Sequence, residues 1–191
     1  KITSLDLSQN TELTNLDCYN NQLTSLNVSK NTALTELHCG NNPLTSLDVS
    51  NNTKLKELWC YDNHLTSLDL RNNIALGIFM CSNTYEISLT DGKFDLSTLP
   101  AGFDLTKASE WTNGSVEGNI LTVEETSKIV TYTYDCGNEK TASFTLVPNV
   151  KQNLLLGNVN GDSSIDSSDA TLILSDYADL AVGKATSFNA E

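Results

Sequence analysis

The chain has 191 residues, of which 24 are acidic and 11 are basic, and its formal net charge is −13 at pH 7. This charge excludes the basic patches that binding to nucleic acid or to an anionic membrane surface requires. It favours cations and basic surfaces as partners. No uninterrupted apolar run of about 18 residues is present, so the sequence predicts no transmembrane helix, and no secretory signal is recognisable in it.

A period of 21 residues runs through the first part of the chain. Cys18, Cys39, Cys60 and Cys81 recur at this interval. Three further columns keep the same register: Leu5, Leu26, Leu47 and Leu68; Leu13, Leu34, Leu55 and Leu76; and Asn10, Asn31, Asn52 and Asn73. Self-similarity at a fixed period identifies a repeat architecture.

Each repeat has two similar halves, one reading LTSLDVSxN and the other LTxLxCxxN. This pattern predicts a coil with a short strand on each of two faces, in which Leu, Val and Cys point inward onto the next coil. We expect the Asn columns to turn the chain and to bond backbone groups through their side-chain amides. The block LTSLNVSKNTALTELHCGNNPLTSLDVS, from Leu23 to Ser50, resembles the short bacterial class of leucine-rich repeats. The resemblance covers residues 1–84 and implies a mainly β leucine-rich-repeat solenoid.

The setting of the protein is indicated by its composition and by its first residue. Asn, Thr, Ser and Asp are abundant while Lys and Arg are few, which suits a secreted, extracellular or cell-surface bacterial protein. Because Lys1 falls inside a repeat, we expect the chain to be the C-terminal part of a longer protein, whose preceding part could carry a signal peptide.

The four cysteines of the repeats are predicted to be reduced and buried, because they occupy the third inward position of a strand, where the other half carries Leu or Val. A zinc site needs four ligands around one point, which a linear column cannot supply. Disulfides between adjacent coils are possible by distance, but side chains in a parallel register are poorly aimed for the required dihedral angle.

One face of the solenoid is a candidate binding surface. On the Cys half the outward column varies from coil to coil, and the next outward column carries Tyr at two positions. The residues expected to bind a partner are Tyr19, His38, Trp59 and Tyr61. Aromatic residues are common anchors of interfaces. The alternatives are that domain packing covers Trp59, Tyr61 and Met80, or that the face is ordinary surface.

From residue 85 to residue 150 the sequence changes to alternating strand-like stretches. Strands are predicted at 120–123, 130–136 and 142–146, with a turn at Gly137–Asn138. We interpret this part as a small immunoglobulin-like β-sandwich that caps the open end of the solenoid. The sharper alternative is carbohydrate binding with Trp111 as a stacking platform. Cys136 has no evident partner.

Residues 151–191 are predicted to form a linker followed by a calcium-binding loop and helix. Asn158–Asp169 reads as an EF-hand-like loop of twelve residues, in which hard oxygen ligands alternate along the chain. The expected ligands of Ca²⁺ are the side chains of Asn158, Asn160, Asp162 and Asp169 and the carbonyl of Ser164. Asp166 could act through water. An acidic surface loop without a bound metal is the alternative.

The phrase GNVNGDSSIDSSDATLIL resembles the first segment of a dockerin, the calcium module that binds cohesins in a cellulosome, and the resemblance covers about residues 157–190. It implies cohesin contacts at Ser167 and Ser168 and on the following helix. Asn158 stands where the family has Asp, Ser163 where it has Gly, and one segment is present where a dockerin has two. The helix face with Leu172 and Tyr177 therefore needs a cover, either a second half or a second copy of the chain in a homodimer.

These features predict a non-catalytic interaction protein of a cellulosome-type assembly. It would attach through the calcium segment, to a cohesin of a scaffoldin or to itself, and bind a protein or surface ligand on the repeat face. The alternative is a free extracellular adhesin or recognition protein whose calcium loop is only structural. Catalysis is not expected, because His38 and His64 lie in different columns and no set of acid, base and nucleophile assembles around either.

Overall fold

The structure is a computed structural model that describes residues 1–100, 102–124 and 128–149. The chain divides into two compact units, Lys1–Asn149 and Val150–Glu191, and the described residues belong to the first. The predicted calcium ligands and the predicted cohesin or dimer contacts all fall within 158–177 and so lie outside the described residues. No helix in the described ranges is long and apolar enough to cross a membrane.

The repeats form a solenoid with one parallel sheet. Its four strands are β1 (Asn15–Asp17), β2 (Glu36–His38), β3 (Glu57–Trp59) and β4 (Ile78–Met80). They pair in chain order, and residues 21 positions apart lie opposite each other, so that Leu16, Leu37 and Leu58 share one row. The period seen in the sequence is therefore the register of this sheet, as predicted.

The other half of each coil contains no strand among residues 1–80, so the expectation of a strand on each of two faces was wrong. The reason is that no backbone hydrogen bond joins residues 26–34 to residues 47–55, so no ladder forms along this half of the coils. The outward Asp or Asn accepts the backbone N–H two residues later and closes a tight turn. This bond joins Ser8 to Asp6, Ser29 to Asn27, Ser50 to Asp48 and Arg71 to Asp69, at 2.9–3.1 Å.

Buried Asn side chains join successive coils. The amide nitrogen of Asn52 donates to the carbonyls of Val28 (3.1 Å) and Asn31 (2.8 Å) in the coil before it. Asn31 and Asn73 make the equivalent bonds one coil earlier and later. On the Cys half, a second Asn column does the same through Asn42 and Asn63. The prediction that Asn amides bond backbone groups is confirmed, but the Val28 and Asn31 carbonyls also accept the backbone N–H groups of Asn31 and Leu34.

The inward columns form the core of the solenoid. Leu34, Leu37, Leu55 and Leu58 are fully buried, as predicted. Of the cysteines, all are free and Cys81 alone is half-buried, the others being buried. Burial raises the pKa of the Cys18 thiol to about 11. For Cys60, a hydrogen bond with Cys81 and then burial raise the pKa well above its usual value. These thiols are protonated near neutral pH, which agrees with their predicted role as small apolar core residues.

After the last repeat the chain forms two further sheets. The strands are β5 (Ser82–Ser88), β6 (Lys93–Asp95), β7 (Ala108–Thr112), β8 (Gly114–Glu117), β9 (Ile120–Val123), β10 (Val130–Gly137) and β11 (Lys140–Asn149). Two 3₁₀ turns, Leu96–Thr98 and Leu105–Lys107, precede β7. One sheet has the order β5-β11-β10-β7 and the other the order β6-β9-β8. The pair β5–β11 is parallel and the remaining pairs are antiparallel. The three predicted strands coincide with β9, β10 and part of β11.

The larger of these sheets covers the last coil. The Tyr132 hydroxyl donates to the carbonyl of Thr66 at 2.6 Å, and the N–H of Leu70 donates to the carbonyl of Cys136 at 2.7 Å. The core of the coils and the core of the sheet form one continuous apolar cluster. These contacts lie at the end of the repeats, where a cap was predicted. Trp111 stacks on Tyr132 with ring centroids 4.6 Å apart, so one of its faces is used in packing.

The Asn column predicts a large, position-specific loss of stability. Replacing Asn52 with Ala removes one of the two donors to each of the buried Val28 and Asn31 carbonyls, and we expect the free energy of unfolding to fall by about 1–3 kcal/mol. Asn10 occupies the same column in the first coil but is exposed. Asn10→Ala is therefore the matched control, with an expected change within about 0.5 kcal/mol. Urea unfolding followed by circular dichroism measures both, and equal losses would contradict the role of the buried amides.

Candidate functional site on the strand face

The strand face consists of the outward residues of β1–β4 and of the turn that follows each strand. Its members are Asn15, Asp17, Tyr19, Glu36, His38, Gly40, Glu57, Trp59, Tyr61, Ile78, Met80 and Ser82. The middle residue of each strand points into the core, so the residues on either side of it point outward. All four residues predicted from the sequence to bind a partner lie on this face. The fixed register places them on three successive coils.

The centre of the strand face is a packed cluster around Trp59. The His38 ring stacks on Trp59, with centroids 4.0 Å apart and an interplanar angle of 8°. His38 Nε2 lies 3.2 Å from Glu57 Oε1, and each of these two side chains is 21% exposed. The indole N–H of Trp59 is covered and has no hydrogen-bond partner among the described residues. The cluster is therefore a preformed aromatic surface rather than a set of independent side chains.

A second aromatic pair lies beside the first. The rings of Tyr19 and Tyr61 are 6.0 Å apart and tilted by 47°, although a whole coil separates their positions in the chain. Gly40 occupies the position between them, and a Cβ atom there would lie 3.3 Å from the Tyr61 ring. Burial raises the pKa of Tyr61, and Tyr19 adds to this shift. Gly40 thus allows Tyr61 to lean across the middle coil towards Tyr19.

The positional role of Gly40 was not predicted from the sequence. The available signal was the column Tyr19, Gly40, Tyr61, Ser82, in which a residue without a side chain stands between two tyrosines. A column of alignable positions shows which side chains share a face. It does not show that the Tyr61 ring will extend over Gly40, which has no side chain, and contact the Tyr19 ring.

The last coil adds an exposed apolar end to the strand face. Ile78 lies opposite Glu57 and Met80 lies opposite Trp59 in the sheet register. Ile78 is 53% exposed and Met80 is 49% exposed. The capping sheet therefore does not cover Met80, which argues against the alternative that domain packing accounts for this column. Trp59 and Tyr61 remain partly exposed.

No group of three or more His, Cys, Asp or Glu side chains within residues 1–100, 102–124 and 128–149 is arranged to hold a metal ion. The predicted calcium ligands of the C-terminal segment, and Ser167, Ser168, Leu172 and Tyr177, lie outside these ranges. The strand face is accordingly the candidate site that the structure describes. It combines aromatic and aliphatic side chains, which can make apolar contacts, with carboxylates, which can accept hydrogen bonds and pair with cations.

Comparison with known proteins agrees with this architecture. The family of leucine-rich repeats (two copies) matches residues 11–52 and 32–73, and the chain therefore contains leucine-rich repeats. Proteins of this kind are generally non-enzymatic modules for protein–protein interaction. No curated protein matches the chain.

A solved structure of similar fold is the functional domain of InlJ from Listeria monocytogenes, which is described as including a cysteine ladder. It is 27% identical, with a TM-score of 0.53, and the match covers 76% of this chain and 36% of that one. The chain thus spans about a third of the length of this neighbour. Cys18, Cys39, Cys60 and Cys81 likewise occupy equivalent positions on successive coils.

The stack of His38 on Trp59 predicts a change in fluorescence. In a Trp111→Phe background Trp59 is the remaining tryptophan, and His38→Ala uncovers one face of its indole. We expect emission to shift to longer wavelength and quenching by acrylamide to increase. His64→Ala is the matched control, because His64 is exposed and lies outside the strand face. Unchanged emission in His38→Ala would contradict the stacked arrangement.

Proposed function

We propose that this protein is a non-catalytic interaction module whose strand face binds a protein. The observation that carries the proposal is the presence on one face of two aromatic pairs, His38 with Trp59 and Tyr19 with Tyr61, spread over three coils. Large aromatic side chains dominate the binding energy of many interfaces. An exposed surface of this kind is more informative than isolated apolar residues, which are common on any protein.

The preformed state of the strand face supports this function. Its strands are fixed by coil-to-coil hydrogen bonds, and its side chains already contact one another across neighbouring coils. Binding through such a surface loses little side-chain freedom, and ordering of side chains is one of the main terms opposing association. The adjacent Ile78 and Met80 extend the apolar area towards the last coil.

We further propose that the C-terminal segment binds Ca²⁺ and attaches the protein to a cellulosome-type assembly. The support is the alternation of oxygen-bearing side chains in the loop Asn158–Asp169 and its resemblance to a dockerin segment. Attachment would be to a cohesin or to a second copy of the same segment. We also propose that residues 85–150 form an immunoglobulin-like domain. We propose that the protein is secreted. The second candidate is a free extracellular adhesin whose loop binds calcium for stability alone.

The protein-binding role of the strand face is tested without a known partner. A library of random peptides displayed on phage is selected on the full chain, and the affinity of enriched peptides is measured by biolayer interferometry. We expect Trp59→Ala to weaken most of them at least about tenfold, as for an interface hot spot. Ile74→Ala is the control, because Ile74 is 82% exposed and lies outside the strand face. Peptides that bind Trp59→Ala as well as the natural chain would contradict the proposal.

The calcium segment is tested by calorimetry and by light scattering on the full chain. We expect one calcium site, which is lost when Asp162 and Asp169 are both replaced by Ala because two anionic ligands are removed. Light scattering with calcium and then with a chelator measures self-association. A dimer that becomes a monomer on chelation supports assembly between two copies. A monomer in both conditions excludes the self-association form of the proposal, and absence of calcium binding excludes both forms.

A further inference from the structure

We infer that the partner of the strand face is a cationic protein segment in which Lys or Arg side chains flank an aliphatic or aromatic anchor. This inference rests on the proposed function, since it names the partner of the same surface. It follows from two observations: the signs of the charges on the face and the position of the apolar end beside them.

The charges on the strand face, and on the residue that follows it in each coil, are of one sign. The four strands and the two residues that follow the inward Cys of each coil contain carboxylates and one His, but no Lys or Arg. The carboxylates are Asp17, Glu36, Glu57 and Asp62. A surface lined by one sign of charge attracts and orients a partner of the opposite sign.

These carboxylates are available to a partner. Glu36 accepts a hydrogen bond from the neutral Asn15 amide, and Asp17 accepts one from the N–H of Tyr19. Glu57 contacts His38 rather than a Lys or Arg. By contrast, Asp69 on the other half of the coil is paired with Arg71, whose guanidinium nitrogen lies 2.6 Å away.

The apolar anchor site lies next to the carboxylates. Glu36, Glu57 and Ile78 follow one another along one outward row, and His38, Trp59 and Met80 follow one another along the next. Neighbouring strands are about 4.8 Å apart, so one step along a row separates an acidic position from an apolar one. A segment with an apolar side chain on Trp59, Ile78 and Met80 would place adjacent Lys or Arg side chains over Glu36 and Glu57.

The repeats themselves supply conservative variants for the test. Asp17→Asn keeps the turn bond, because Asn27 makes the same bond to Ser29. Asp62→Asn suits the left-handed backbone, because Asn20 and Asn41 occupy the equivalent positions with φ of 57° and 52°, against 51° at Asp62. In Glu36→Gln the amide oxygen can still accept from Asn15. The triple variant, called the strand-face variant, therefore removes two negative charges from the strand face and one from the adjoining turn while keeping these acceptors.

The control removes three negative charges elsewhere. Asp6→Asn, Asp48→Asn and Asp69→Asn all lie in the column whose natural members include Asn27, on the other half of the coil. The net charge of the two triple variants is the same. A difference between them therefore reports the position of the charges and not the total charge of the protein.

The probes are the peptides enriched from the random library on the natural chain. We expect them to contain Lys or Arg on both sides of an apolar residue. The strand-face triple variant is expected to bind them at least about tenfold more weakly, whereas the control triple variant changes little. Raising the NaCl concentration from about 0.05 M to about 0.5 M should weaken binding to the natural chain more than to the strand-face variant.

Three results would overturn the inference. Enriched peptides without an excess of Lys or Arg, or with equal affinity for the strand-face variant, would show that the partner chemistry is wrong. If those peptides still lost affinity on Trp59→Ala, the proposed protein-binding function would stand. Equal weakening by both triple variants would assign the attraction to net charge alone. If the enriched peptides bound the Trp59→Ala variant as tightly as the natural chain, the proposed protein-binding function itself would fail.

Discussion

The hydrogen bonds that buried Asn amides make between coils are the constraint on which this structure depends. A coil of about twenty residues has too few apolar side chains to fold alone, and no backbone hydrogen bond joins residues 26–34 to residues 47–55 of the next coil. Asn52 joins two coils here by donating to the Val28 and Asn31 carbonyls of the coil before it, and Asn31 and Asn73 repeat the arrangement. The same contacts fix the distance between coils. The stacking of apolar side chains and the hydrogen bonds of the Asn amides therefore require the same 21-residue register between neighbouring coils.

That register produces the strand face. Residues 21 positions apart become direct neighbours, which is why His38 can stack on Trp59 and Tyr61 can reach Tyr19. The turns of the coil thus provide rigidity, while the outward positions are free to vary from one coil to the next. A covered far end is equally necessary, and the Tyr132 hydroxyl and the Cys136 carbonyl bond the last coil to the following sheet. The strand face therefore lies on a scaffold that is held at every coil and at the end that the sheet covers.

Much of this arrangement could be predicted from the sequence, because repeats supply their own alignment. The columns of Leu, Cys and Asn indicated the coil length, the inward positions and the role of the amides. The second strand was wrongly predicted, because both halves of a coil share the same spacing of apolar residues, while backbone hydrogen bonds between coils do not extend across residues 26–34 and 47–55. Contacts between columns, such as Gly40 beneath Tyr61, depend on rotamers and could not be predicted from spacing.

Hydrogen exchange of the Asn side-chain amides, measured by NMR, tests the central constraint most directly. The Asn52 amide donates to two buried carbonyls, whereas Asn10 and Asn51 are exposed. Exchange at Asn31, Asn52 and Asn73 should occur only on unfolding of the coils and so be slower by several orders of magnitude than at the exposed amides. Rapid exchange at Asn52 in the folded protein would contradict the account, because the coils would then be held together by apolar packing without these bonds.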